Sequence, residues 1–331
     1  MLMVRSLLFL VVFYLNTAAF LLLGSWLLLA PRRWAMEGLR LHGLASLWWL
    51  RVICGTRYEV RGQEKLPRGA CLVASKHQSA WDTFALIPVF RDPAMVMKVE
   101  LGWIPLYGWF SHKFQHIFVK RDKGPSALKS LIRDARQRAS HAREIVIFPE
   151  GTRRPPGAPP DYKPGFIALY EGLGLPCVPL ALNSGLFWPR RSIVRYPGTI
   201  VIEVQDPLPP GLPRKQARAL IEGRIEAACN RLIAEARAAP NPPPLPAESL
   251  KPAAAHSEGP RPLPGCVWVG RGRDRLGLSW PVWACLGLSG PVWAWAARGV
   301  PTPEWGAANP ERSRPPSIQG SPEPRGKKGR P

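Results

Sequence analysis

The chain has 331 residues, with 45 Lys plus Arg against 23 Asp plus Glu, a formal charge of +22, and 46% hydrophobic residues. That much apolar mass excludes a wholly disordered polymer, and six Cys spread over this length exclude a small disulfide scaffold. The basic surplus favours contact with phosphates, whether of nucleic acid, anionic lipid or substrate, without deciding among them.

Composition divides the chain into three parts: residues 1–55, 56–239 and 240–331. The first opens with 24 uncharged residues, Leu7 to Ala30, which as a helix reach about 36 Å, slightly beyond a bilayer's hydrocarbon core. An uncleaved membrane anchor is expected, with a buried core helix as the alternative. Pro31, Arg32 and Arg33 follow. Leu41, Leu44, Ala45, Trp48 and Val52 then recur at helical spacing beside Arg40, His42 and Arg51, which predicts an amphipathic helix ending near Gly55. Trp48 and Trp49 suit a headgroup zone, so this pair of helices is expected to enter one leaflet and return.

From Tyr58 to about Ala239 short β-rich runs alternate with helical ones, which predicts an α/β domain with a mixed sheet flanked by helices. The strand candidates are YEVRG, ACLVASKH, FQHIFVKR, EIVIFPEG, CVPLALNS and TIVIEVQ. The helix candidates are Ser126 to His141, Phe166 to Leu173 and Lys215 to Ala238, the last stopped by the prolines that follow. Beyond it lie 19 of the chain's 39 Pro, and LGLSWPVWAC at 276–285 is nearly repeated at 286–295. Two copies rich in Gly and Pro form no solenoid, so the tail is expected to be largely disordered. Its charge accounts for only part of the surplus, since +16 remains on the first 239 residues.

Two motifs carry chemistry. In Ser75-Lys-His-Gln-Ser-Ala-Trp-Asp82 an imidazole and a carboxylate stand five residues apart after an apolar run. On one helix they would point about 140° apart; they meet only if His77 lies in the turn and Asp82 in the first turn of a following helix. Asp82 then holds one ring nitrogen and the other accepts a proton, the arrangement of a general base acting on a hydroxyl. In Phe148-Pro-Glu-Gly-Thr-Arg153, Gly151 permits a tight backbone and Arg153 offers a planar fork for phosphate. Glu150 can orient that fork or accept from a substrate hydroxyl. Lys98 and Arg121 each close an apolar run with a cation. Between them GWIPLYGWF (102–110) suits an acyl groove or a core equally well. The cysteines show no metal-ligand spacing, and neither a Cys nor Ser79 is needed as a nucleophile.

In this order, KHQSAWD, GWIPLYGWF with IFVKRD, FPEGTR and VPLALNSG (178–185), the motifs resemble those of the glycerolipid acyltransferase family, most closely its bacterial 1-acyl-sn-glycerol-3-phosphate acyltransferases, over roughly Leu39 to Glu235. The resemblance implies that His77 is the base and Asp82 its orienting partner. It also implies that Lys98, Arg121 and Arg153 surround an acceptor phosphate while Glu150 and Gly151 shape the site. Lysophosphatidic acid is then the acceptor and acyl-CoA or acyl carrier protein (ACP) the co-substrate, with no further cofactor, no metal and no nucleic-acid partner. The implied location is the bacterial inner membrane, with the catalytic domain on the cytoplasmic side.

Overall fold

The computed structural model describes residues 1–120 and 124–245. Arg121, the tail beyond 245 and its near-repeat therefore lie outside the described residues. The elements are α1 (Leu2–Leu23), α2 (Arg32–Cys54), β1 (Thr56–Arg61), β2 (Cys71–Ser75), α3 (Trp81–Ala85), β3 (Ala94–Lys98), α4 (Tyr107–Lys113), β4 (Ile117–Val119), α5 (Gly124–Ala139), β5 (Glu144–Ile147), α6 (Pro164–Leu173), β6 (Cys177–Leu182), α7 (Ser184–Phe187), β7 (Gly198–Val204) and α8 (Arg214–Arg237).

Seven strands form one mixed sheet in the order β1-β7-β6-β2-β5-β3-β4, parallel at every pairing except β6 with β7. The six strand candidates all lie in it. The seventh strand, β3, lies outside the candidates, its run Ala94-Met-Val-Met-Lys98 holding a single β-branched residue. β2, β5 and β6 are buried on both faces, which is why they read as unbroken apolar runs rather than as alternation. Val73 pairs with Val146 on one side and with Val178 on the other. These three contribute to the layer shared with α1, α2 and α3. Leu72 and Ile145, one residue along each strand, enter the opposite layer with α5, α6 and α8. In α8 the buried stripe is Ala217, Ile221, Ile225, Ala228, Cys229 and Leu232, one face of a 3.6-residue period.

The long apolar run is a helix that stops at Leu23. At Gly24 the chain turns into one 3₁₀ turn, Ser25–Leu28, before α2. The helix does not project from the domain. Three aromatic side chains on one stripe hold it down along its length, with ring centroids 5.4 Å apart for Phe9 and Trp188, 5.4 Å for Phe13 and Phe84, and 5.1 Å for Phe20 and Phe110. The opposite stripe, including Leu8, Val11, Leu15 and Leu22, is exposed, as are Trp34, Leu41, Trp48 and Val52 of α2. Asn16 donates to the Ser46 hydroxyl at 2.9 Å, and Thr17 and His42 meet at 3.1 Å, so these four polar groups between the helices satisfy one another. The GWIPLYGWF segment splits between the two uses its sequence allowed. Phe110 is core against Phe20 and Phe114, whereas Trp103 and Trp109 stand exposed.

Candidate active site

Because β6, β2, β5 and β3 run parallel and side by side, the loops leaving their C-terminal ends share one edge of the sheet, the place where such sheets build sites. Three loops meet there, residues 76–80 after β2, 148–163 after β5 and 183–188 after β6, and Lys98 ends β3 at the same edge of the sheet.

His77 lies in the turn and Asp82 in the first turn of α3, as the five-residue spacing requires. The His77 Nδ1 is 2.9 Å from Asp82 Oδ2. That oxygen also accepts from the backbone N–H groups of Gln78 at 2.8 Å and Ser79 at 2.9 Å, while Oδ1 accepts from the Ser184 hydroxyl at 2.5 Å. Asp82 is fully buried and fixed by four hydrogen bonds. With Nδ1 donating to the carboxylate, the ring's proton-accepting lone pair is on Nε2. The imidazole lies flat on the Phe148 ring, with centroids 4.0 Å apart and planes 19° apart, which sets the direction in which Nε2 points.

The Phe148 to Arg153 loop does more for the histidine than its sequence promised. Gly151 adopts φ +64°, which only glycine enters without strain, and its N–H closes the turn on the Phe148 carbonyl at 2.9 Å. Glu150 points inward. It is 1% exposed and accepts at 2.9 Å from the ammonium of Lys76. The physical reason is Lys76 itself, 2% exposed, whose buried charge requires carboxylates. Arg153 is half-buried, with its carbonyl accepting from Arg190 at 2.9 Å. Lys98 is half-buried at the end of β3, one strand from β5. β4, the strand that precedes Arg121, pairs with β3.

Sequence reasoning missed Lys76, Ser184 and Glu226. Gln78 and Gly185 tie the β2 and β6 loops together at 3.0 Å, and a Cβ on Gly185 would come within 2.8 Å of Pro156, so three loops converge where that glycine stands. Ser79 is buried, its hydroxyl accepting from the Trp81 N–H at 3.2 Å. Among the described residues the four cysteines are buried and unbridged. Burial pushes the thiols of Cys71 and Cys229 up to about 12, far from a reactive thiolate. The arrangement is thus a held imidazole at an edge that also carries cations, suited to activating a hydroxyl on an anionic substrate.

Comparison with known proteins agrees with this chemistry. The acyltransferase family model matches residues 57–183. The 1-acyl-sn-glycerol-3-phosphate acyltransferase of Pseudomonas aeruginosa is 36% identical over 190 residues, 57% of this chain and 74% of that protein. A lyso-ornithine lipid O-acyltransferase of the same species is 30% identical over 131 residues, 39% of this chain and 50% of that protein. In fold, the crystal structure of the 1-acyl-sn-glycerophosphate acyltransferase of Thermotoga maritima superposes with a TM-score of 0.60 at 21% identity, covering 70% of this chain and 98% of that one. A sheet with its imidazole and carboxylate at the parallel edge, a family model across that edge, and a 36% identical relative covered over 74% of its length have one reading: this chain belongs to the glycerolipid acyltransferase family.

Proposed function

We propose that the enzyme transfers an acyl chain from a thioester donor, acyl-CoA or acyl-ACP, to the 2-hydroxyl of lysophosphatidic acid, forming phosphatidic acid. The observation that carries this is the 2.9 Å contact between His77 and Asp82 beside the Phe148 to Arg153 loop. His77 Nε2 removes the hydroxyl proton as the oxygen attacks the thioester carbonyl. Asp82 stabilises the imidazolium, and collapse of the tetrahedral intermediate expels the thiolate, which takes up the proton. The C–O bond forms on addition and the C–S bond breaks on collapse, with no acyl-enzyme between. Lys98, Arg121 and Arg153 are assigned to the acceptor phosphate, an arrangement supported by the neighbouring ends of β3, β4 and β5.

In membranes expressing the wild type, labelled acyl-CoA or acyl-ACP with lysophosphatidic acid is expected to give labelled phosphatidic acid. Transfer only to another acceptor, of which lyso-ornithine lipid is the one a relative names, would replace the acceptor and keep the mechanism. Transfer to none would turn the reading to a membrane-bound, non-catalytic lipid-binding protein.

The exposed apolar stripes of α1 and α2 are assigned to the hydrocarbon of one leaflet, with the catalytic unit on the cytoplasmic side of a bacterial inner membrane. A crossing α1 would have to drag the sheet with it, because Phe9, Phe13 and Phe20 hold it to the domain along its length. Burying polar backbone and charge in hydrocarbon costs several kcal/mol per group, which supports the one-leaflet assignment. A cleavable tag placed before Met1 is therefore expected to be protected, like the catalytic unit, from protease added to spheroplasts. Cleavage from outside would show that α1 crosses.

A further inference from the structure

Lys76 precedes the proposed base, and nothing in the mechanism above uses it. Its ammonium lies 2.9 Å from Glu150 Oε1 and 2.7 Å from Glu226 Oε1, and 5.8 Å from the centre of the Tyr162 ring. The Tyr162 hydroxyl donates to the same Glu226 oxygen at 2.8 Å. A lysine sealed in this way is costly to bury, and a methionine of similar length would fill the space without that cost. Stability therefore does not account for it.

Its place in the chain does. The Lys76 N–H is held by the Leu180 carbonyl of β6 at 3.0 Å, and the His77 carbonyl accepts from the Arg154 N–H at 2.8 Å. The loop after β5 thus grips residues 76 and 77 three times: Phe148 on the imidazole face, Glu150 on the Lys76 ammonium, and Arg154 on the His77 carbonyl. Glu226 adds a fourth hold from α8, 150 residues away. Two carboxylates share one cation. Burial works against the Lys76 charge, but the two carboxylates outweigh it and keep the ammonium above its usual range; burial likewise pushes the Glu150 carboxyl up against the pull of Lys76.

We propose that Lys76 is a positioning residue, and that Glu150 and Glu226 act through it to fix the backbone of His77 so that Nε2 faces the acceptor hydroxyl. The inference rests on the reading of His77 as the base. It reassigns the glutamate of the Phe148 to Arg153 motif from substrate contact to support of the base, and it brings α8 into the catalytic apparatus.

The test compares Lys76→Met, Glu150→Gln and the neutral triple variant Lys76→Met/Glu150→Gln/Glu226→Gln in the full chain, each checked by thermal unfolding. Lys76→Met should lower kcat at least about 100-fold with the acceptor KM within about threefold, since a misplaced base slows chemistry rather than binding. Glu150→Gln, which keeps an oxygen for Lys76, should lose less than about tenfold in kcat at unchanged KM. The triple variant should regain thermal stability over Lys76→Met without regaining kcat, which a purely structural cluster would not do. Independently of turnover, carbethoxylation of His77 by diethyl pyrocarbonate, followed by peptide mass spectrometry, should run several-fold faster in Lys76→Met as the ring loosens. A folded Lys76→Met enzyme within threefold of wild-type kcat overturns the proposal. So does a Glu150→Gln enzyme with raised acceptor KM and intact kcat. If the wild type acylates no lyso-lipid, the functional reading fails on its own, and unchanged His77 reactivity in Lys76→Met then overturns the positioning role separately.

Discussion

Replacing His77 with Ala is expected to lower acyl transfer by about 10³-fold or more, roughly 4 kcal/mol of transition-state stabilisation, with both KM values changed by less than about threefold. The expectation rests on what the ring touches. Nδ1 is committed to Asp82, the face lies on Phe148, and the side chain is 13% exposed, so the proposed proton acceptor is Nε2. Asp82→Asn separates two contributions that Asp82→Ala would remove together. An asparagine oxygen in the Oδ2 position still accepts from His77 and the two backbone N–H groups, and its amide donates to a Ser184 hydroxyl that only has to rotate. Ring orientation and tautomer survive while the negative charge beside the forming imidazolium is lost. Steady-state assays should place Asp82→Asn about 10²-fold below wild type, with His77→Ala and Asp82→Ala lower still. If Asp82→Asn is as active as wild type, the carboxylate only holds the ring. If His77→Ala keeps more than about a tenth of the activity, the base lies elsewhere.

The pairing of His77 with Asp82 was legible because geometry left it one solution: five residues fail on a helix and succeed across a turn and a helix start. The sheet was legible where strands are sealed on both faces, as at Leu72 to Ala74 and Ile145 to Ile147, since sealed strands read as unbroken apolar runs. The partners reached across the fold were not. Ser184 lies 102 residues from Asp82 and Glu226 lies 150 from Lys76, and no local period connects them. The direction of Glu150 was hidden for a related reason. A motif states which residues a loop contains, and the partner that decides which way the carboxylate turns is in another loop. The uncharged opening run reads the same whether α1 crosses a bilayer or lies along a domain. The stripe of Phe9, Phe13 and Phe20 that packs α1 on the domain is apolar on an apolar background.

Arg143→Met is expected to destabilise the fold by about 3–5 kcal/mol, a melting shift of roughly 10 °C, with kcat at permissive temperature little changed. The guanidinium is 1% exposed and reaches none of the proposed catalytic groups. Nε donates to the Asp92 carbonyl at 3.2 Å, Nη1 to Gln115 at 3.2 Å, and Nη2 to Pro93 and Phe114 at 3.0 Å each. One planar fork thereby joins the start of β3, the end of α4 and the entry to β5. Methionine fills the volume and removes this donor from the carbonyls of Asp92, Pro93 and Phe114, while that of Gln115 keeps Arg138 at 2.9 Å; the point charge of Arg143→Lys can serve only some of them and should cost less. The same change alters acid stability. Burial pushes the Asp92 carboxyl up, but the hydrogen bond from Arg32 at the start of α2 and the charges of Arg143, Arg32 and Arg40 outweigh it and hold it below the usual range. A carboxyl held low when folded adds stability above its unfolded pKa of about 4 and loses it as the pH falls through the folded value. Removing Arg143 raises that folded value, so denaturation of detergent-purified Arg143→Met should show both a smaller margin at pH 7 and an acid limb reaching unfolding at higher pH than wild type. A pH 7 loss below about 1 kcal/mol would mean that water or neighbouring donors replace the fork, and that the junction of β3, α4 and β5 is held by its apolar contacts alone.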